Sequence, residues 1–133
     1  MIELHGWLSI SETYEDEDLF SPAEFERISQ KVKDIVLKSN CDVELQYMNG
    51  FPFITTLLCS NHRTEQIDKV IAVYKDIAET ATGSYGVIYI RDDEDIIHYN
   101  EFQIYIFKRG KCIHKVDTDF SPCIPSIEKD LEA

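Results

Sequence analysis

The chain has 133 residues, 44% of them hydrophobic and 29% charged, and its 25 Asp and Glu against 13 Lys and Arg give a formal net charge of −12. An acid excess of this size repels phosphate backbones and anionic bilayers, so neither nucleic acid nor a membrane surface is an expected partner. No apolar run approaches the roughly 20 residues a membrane helix needs, and a chain of this length buries about two-thirds of its unfolded surface, enough for one core without disulfides or metal.

Residues 2–12 alternate, with Ile2, Leu4, Leu8 and Ile10 on one side and Glu3, His5, Ser9 and Ser11 on the other, which predicts a half-buried strand. Gly6 marks a bulge or a close backbone approach, and Trp7 falls on the otherwise polar side. Residues 14–20 read as an acidic loop. Ser21-Pro22-Ala23-Glu24 is a helix start, with Ser21 as cap, Pro22 at the first helical position and Glu24 completing a capping box. Phe25, Ile28, Val32, Ile35 and Val36 then repeat at helical spacing, to an end near Ser39-Asn40. Residues 42–48 alternate with Val43, Leu45 and Tyr47 inward, and Asn49-Gly50 is a two-residue hairpin turn. Residues 51–59 form the return strand, where Pro52 predicts an edge position or a late beginning.

A second helix follows residues 60–64, with an apolar face of Ile67, Val70, Ile71, Tyr74, Ile77, Ala78 and Ala81 and with Gly83 as its C-terminal stop. Residues 85–90 read as a buried strand. In residues 100–108, Phe102, Ile104 and Ile106 alternate with Gln103, Tyr105 and Phe107; Arg109-Gly110 then turns the chain into a strand over 111–116. Pro122 and Pro125 break regular structure before a short helical turn at residues 127–131. The order β-α-β-β-α-β-β-β predicts one α+β domain over residues 1–133. Its first six elements make a split βαβ core, an antiparallel sheet with two helices on one face, extended by a C-terminal meander.

The N-terminus lacks a basic region followed by an apolar stretch, so no signal peptide is expected. Cys41, Cys59, Cys112 and Cys123 lie far apart, which predicts buried or half-buried thiols and a cytoplasmic location. The charge is unevenly spread. Residues 1–26 hold eight acids and no Lys or Arg, residues 27–115 hold twelve of each sign, and residues 116–133 hold five acids and one base. Glu15-Asp16-Glu17-Asp18 and Asp92-Asp93-Glu94-Asp95 are the two dense runs. Each is either a solvated loop or a docking surface for a basic partner, and sheet topology can bring both to one end of the molecule.

Chemistry is thinly provided for. Adjacent exposed acids are poor general acid–base pairs, which need one desolvated and one wet carboxyl. The calcium-loop spacing is absent from the second run despite nearby His98, and the Cys112–His114 pair is a weak zinc signal. No phosphate-binding or dinucleotide glycine loop occurs, so neither metal nor cofactor is expected. Asn61-His62-Arg63 either binds an anion at the helix start or fixes the loop. Trp7, Tyr105 and Phe107, on the less apolar faces, either pack under a helix or serve as interface anchors.

Several segments together resemble the immunity protein 7 family: His5-Gly6-Trp7-Leu8-Ser9-Ile10 before Glu15-Asp16-Glu17-Asp18; Cys59-Ser60-Asn61-His62-Arg63; Gly83-Ser84-Tyr85-Gly86 with Arg91-Asp92-Asp93-Glu94-Asp95; Asn100-Glu101-Phe102-Gln103 through Arg109-Gly110-Lys111; and the ending Ser121-Pro122-Cys123-Ile124-Pro125. The likeness spans nearly the whole chain, and the family's characteristic Trp matches Trp7. It implies a small α+β protein encoded beside a toxin in bacterial polymorphic-toxin and contact-dependent inhibition systems. It also implies a cognate antitoxin that binds and neutralises a toxin domain and carries no catalytic residues. Many such toxins are nucleases with basic clefts, so the expected partner is basic and the expected toxin-binding residues are Glu15, Asp16, Glu17 and Asp18, then Asp92, Asp93, Glu94 and Asp95, in a chain that is monomeric when free. The rival reading is a small enzyme or ligand-binding domain with a pocket between sheet and helices.

Overall fold

The computed structural model describes residues 1–121. Two helices, α1 (Pro22–Ser39) and α2 (Glu65–Thr80), pack on a six-stranded sheet formed by β1 (Ile2–Ser9), β2 (Glu44–Met48), β3 (Phe51–Ser60), β4 (Tyr85–Asp92), β5 (Gln103–Lys108) and β6 (Lys111–Val116). The strand order is β2-β3-β1-β4-β5-β6, and every neighbouring pair is antiparallel. This is the expected α+β split βαβ core with a C-terminal meander. The helical turn expected at residues 127–131 lies outside the described residues, as do Pro122, Cys123 and Pro125.

Local signals act as their chemistry requires. Ser21 accepts from the Glu24 N–H while Glu24 reaches back to the Ser21 N–H, and Phe20 packs on Phe25 at 5.6 Å between ring centroids, a capping box with its hydrophobic staple. A single 3-10 turn, Glu17–Leu19, interrupts the acidic loop, capped by the Asp16 carboxylate. Asn49-Gly50 and Arg109-Gly110 all have positive φ, the two-residue turn whose twist suits a hairpin.

Three expectations are corrected. β3 is an inner strand, not an edge. The two-residue turn makes Met48–Phe51 the hydrogen-bonded pair, so the Pro52 nitrogen faces away from β2, and on its other side β1 pairs only as far as Phe53. The Pro52 carbonyl still accepts from the Ile10 N–H at 3.0 Å. Gly83 is not a left-handed helix stop; Ala81 is the C-cap, and a Cβ on Gly83 would lie 2.5 Å from the Thr13 carbonyl oxygen, so close backbone approach requires the glycine. Tyr47, in register with the helix-facing positions, nevertheless remains exposed.

The core lies between the helices and one sheet face. α2 supplies most of it, with Ile67, Val70, Tyr74 and Ile77 fully buried, whereas α1 buries only Val32 completely. Gly6 faces this core without a bulge: a Cβ there would sit 2.8 Å from the Tyr74 hydroxyl, so its absence gives the phenol room. That hydroxyl donates to Thr56 Oγ1 at 3.1 Å, and Thr56 in turn donates to the Asp42 carbonyl at 2.7 Å. Burial pushes the Tyr74 phenol up to about 12, against a smaller lowering by its bond with Thr56. An unfolded tyrosine ionises near 10, so the folded state holds this proton more tightly. The stabilisation is complete below about pH 10 and is lost as pH rises towards 12, about 3 kcal/mol in full. Tyr74→Phe is therefore expected to cost about 1 kcal/mol at neutral pH and to remove this part of the alkaline loss. Urea titrations of both proteins at pH 8 and pH 11.5 check this; parallel losses in the two would contradict it.

Candidate functional site

The two acidic runs occupy opposite ends of the sheet, not the common end that the sequence left open. β1 and β4 run antiparallel with Ile2 opposite Asp92 and Ser9 opposite Tyr85. The Glu15–Asp18 run therefore follows one end of β1, and Asp92–Asp95 lies beyond the other, about 23 Å away along the strand.

The runs also differ in how their carboxylates are engaged. Asp16 accepts from the Asp18 N–H at 3.0 Å, while Glu15, Glu17 and Asp18 have no ion-pair partner among the described residues. The turn between β5 and β6 shares this end, and the Arg109 guanidinium lies 5.9 Å from the Tyr14 ring centroid. At the other end the carboxylates are tied down. Asp93 pairs with the Met1 amine, Glu94 Oε1 contacts His62 Nδ1 at 2.6 Å, and Asp92 accepts from the Glu94 N–H at 3.0 Å. Asp95 accepts from the N–H groups of His98 and Ile97, and these bonds hold its carboxyl below the ordinary range. Glu101, Asp117 and Asp119 join this end because the Asp117 N–H donates to the Phe102 carbonyl at 2.8 Å. Sequence spacing gave no sign of that gathering.

Asn61-His62-Arg63 fixes its loop. Besides the His62–Glu94 contact, Arg63 pairs with Asp68 at 2.7 Å and Ser60 donates to the His62 carbonyl at 2.8 Å. Cys41, Cys59 and Cys112 are free thiols, and Cys59 and Cys112 are exposed rather than half-buried. Cys112 is exposed at the surface, yet partial desolvation by its neighbours outweighs nearby Lys75 and pushes its thiol up, away from thiolate chemistry. The cleft between α1 and the sheet has a volume of about 220 Å³ and is walled mainly by Ile10, Ile28, Val32 and Leu45; Glu12 and Ser29, at its polar side, bond each other at 3.0 Å.

The three aromatics separate. Phe107 is 1% exposed and packs under α2, 5.8 Å from Tyr74 between centroids. Tyr105 is half-buried on the same face, stacked on His114 at 4.3 Å with Lys75 above it. The helix-facing set of β5 is thus Tyr105 and Phe107, and Phe102, Ile104 and Ile106 face the other way. Trp7 alone stands on the open side of the sheet, 43% exposed, with the Tyr85 ring edge-on at 6.1 Å. Around it Leu57, Val87, Tyr89, Phe102 and Phe120 line a shallow depression of about 590 Å³. This face was missed in the sequence, although β4 announces it: Tyr85, Val87 and Tyr89 alternate with Gly86, Ile88 and Ile90, so both faces of the strand are apolar, and helices cover only one.

At the base of the open face lies a charged trio. Arg91, buried, donates to Glu3 at 3.1 Å, and His5 contacts the other Glu3 oxygen at 3.1 Å. Partial burial raises the Glu3 carboxyl, but the bonds from His5 and Arg91 outweigh it and hold the group below its ordinary value.

No helix among the described residues is long and apolar enough to cross a membrane. Nothing matches among curated proteins or among solved structures. Residues 1–129 match the family described as immunity protein 7. With the match covering nearly the whole chain, and the α+β sheet built as expected, the chain belongs to the immunity protein 7 family and is an immunity protein directed against a toxin.

Proposed function

We propose that the protein neutralises its cognate toxin by stoichiometric binding, without catalysis, and that the toxin domain is a basic nuclease met by an acidic surface. The observation that carries this is the family match together with the placement of all the net charge in the terminal segments. Carboxylates can stand where a nuclease cleft would hold phosphates, and such a field raises association rates and selects partners by sign. Glu15, Asp16, Glu17 and Asp18 are the favoured contacts, because their charges are less spent on internal partners than those of Asp92, Asp93, Glu94 and Asp95. Before meeting the toxin the chain is a cytoplasmic monomer of one domain.

The test is co-expression with the toxin domain encoded beside the chain's own gene. Restored growth, a one-to-one complex by light scattering and loss of nucleic-acid cleavage at one equivalent are expected. A toxin that the chain neither binds nor blocks would overturn the reading; a toxin without nuclease activity would remove that part of it.

A further inference from the structure

We propose that the open face of the sheet, centred on Trp7, is the anchoring surface of the complex, and that it receives an apolar patch edged with Lys and Arg side chains on the toxin. This rests on the toxin-binding function proposed above. Both helices lie on the opposite face, so no helix covers this side of β3, β1, β4 and β5 among the described residues; Phe102 and Ile104 on it are nonetheless buried, and its exposed part centres on Trp7, Leu57 and Tyr85. It is a contiguous aromatic field rather than scattered side chains: Tyr85 meets Trp7 edge-on, and Phe102 meets His5, Tyr89 and Phe120 at 6.3, 5.8 and 5.6 Å between centroids. Leu57, beside His5 in register, is 78% exposed.

In the loop between β4 and β5, Ile96 is 93% exposed, and exposed Ile97 and Tyr99 line a separate depression with Val116 and Asp117. Single exposed apolar residues are ordinary, but a contiguous patch of hundreds of Å² marks an interaction surface. Four strands spaced about 4.8 Å apart and about 23 Å long give a footprint on the order of 400 Å² in projection, about half of the roughly 800 Å² of accessible surface per partner in a tight inhibitor interface. An aromatic centre with a charged rim is also the anatomy of energetic hot spots.

Charge selects the occupant. The face runs between the Glu15–Asp18 run at one end of the sheet and Asp92–Asp95 at the other, and the whole chain carries a formal −12. A second copy would bring like charge against like, whereas a basic-rimmed partner gains from it.

The test compares the wild type with Trp7→Ser and Leu57→Ser in binding kinetics against the toxin domain encoded beside the gene. Each substitution is expected to raise the dissociation rate at least about 10-fold with an unchanged salt slope. Leu57→Ser, at an exposed site, should keep the wild-type melting temperature. If the wild type binds and protects while both variants dissociate at its rate, the anchor lies elsewhere and the proposed function stands. If the wild type itself neither binds nor protects, both fall. Trp7 is the only tryptophan, so acrylamide quenching of the free chain reads this face directly. Efficient quenching is expected; a shielded Trp7, with a dimer in light scattering, would assign the face to a second copy and overturn the proposal.

Discussion

Replacing Glu15, Asp16, Glu17 and Asp18 with their amides slows association with the toxin by about 10- to 100-fold at low salt and leaves dissociation nearly unchanged. Long-range attraction acts on the encounter, before close contacts form, so its loss appears in the on-rate. At about 0.15 M ionic strength fields are screened beyond roughly 8 Å, and the difference between the two proteins shrinks as salt is added. Stopped-flow association at four salt concentrations measures this. Stability changes little, because exposed charges contribute weakly and removing self-repulsion offsets their loss. Equal rates and equal salt slopes in the two proteins would reduce the run to a solvated loop. The sheet face around Trp7 would then carry recognition without steering.

Phe107→Ala, by contrast, leaves the surface intact and lowers stability by about 3–5 kcal/mol. The ring is 1% exposed and lies against Tyr74, so truncation opens a cavity that α2 and β5 cannot both collapse into. A domain with a total stability of about 5–15 kcal/mol loses a large share of it. Trp7→Ala should cost only about 1 kcal/mol, the worth of its edge contact with Tyr85 and its half-buried area. Chemical denaturation of the two variants separates a core aromatic from a surface one. Equal losses would mean that Trp7 holds the fold together as much as Phe107 does.

These two aromatics also mark the limit of what the sequence discloses. Elements with local causes were legible: the Ser21–Glu24 capping box, the Asn49-Gly50 turn and the spacing of Ile67, Val70, Tyr74 and Ile77 each act over a few residues. The helix-facing side of β5 was not, because Phe102, Ile104 and Ile106 are as apolar as Tyr105 and Phe107, and periodicity cannot choose between two apolar faces. Only the register Tyr105–Ile88 and Phe107–Gly86 decides. Pro52 misled for a related reason, since its missing N–H matters only where a neighbour would use it, and that depends on where β1 stops pairing. The candidate site was legible as two acidic runs. Their placement at opposite ends and the gathering of Glu101, Asp117 and Asp119 beside the second follow from strand direction, which no local pattern encodes.

The place of β1 in the sheet has a consequence in time. This strand lies between β3 and β4, and from Ser9 to its partner Tyr85 the chain runs 76 residues. At a synthesis rate of roughly 5–20 residues per second, the ribosome needs about 4–15 seconds to deliver that partner after β1 itself is made. Through that interval Ile2, Leu4 and Leu8 have no complete core to enter, and the hairpin of β2 and β3, closed by its own short turn, can form first. Pairings so distant also slow folding once the chain is complete. Newly made chains therefore join the folded pool only after a delay set by the strand at the centre of the sheet.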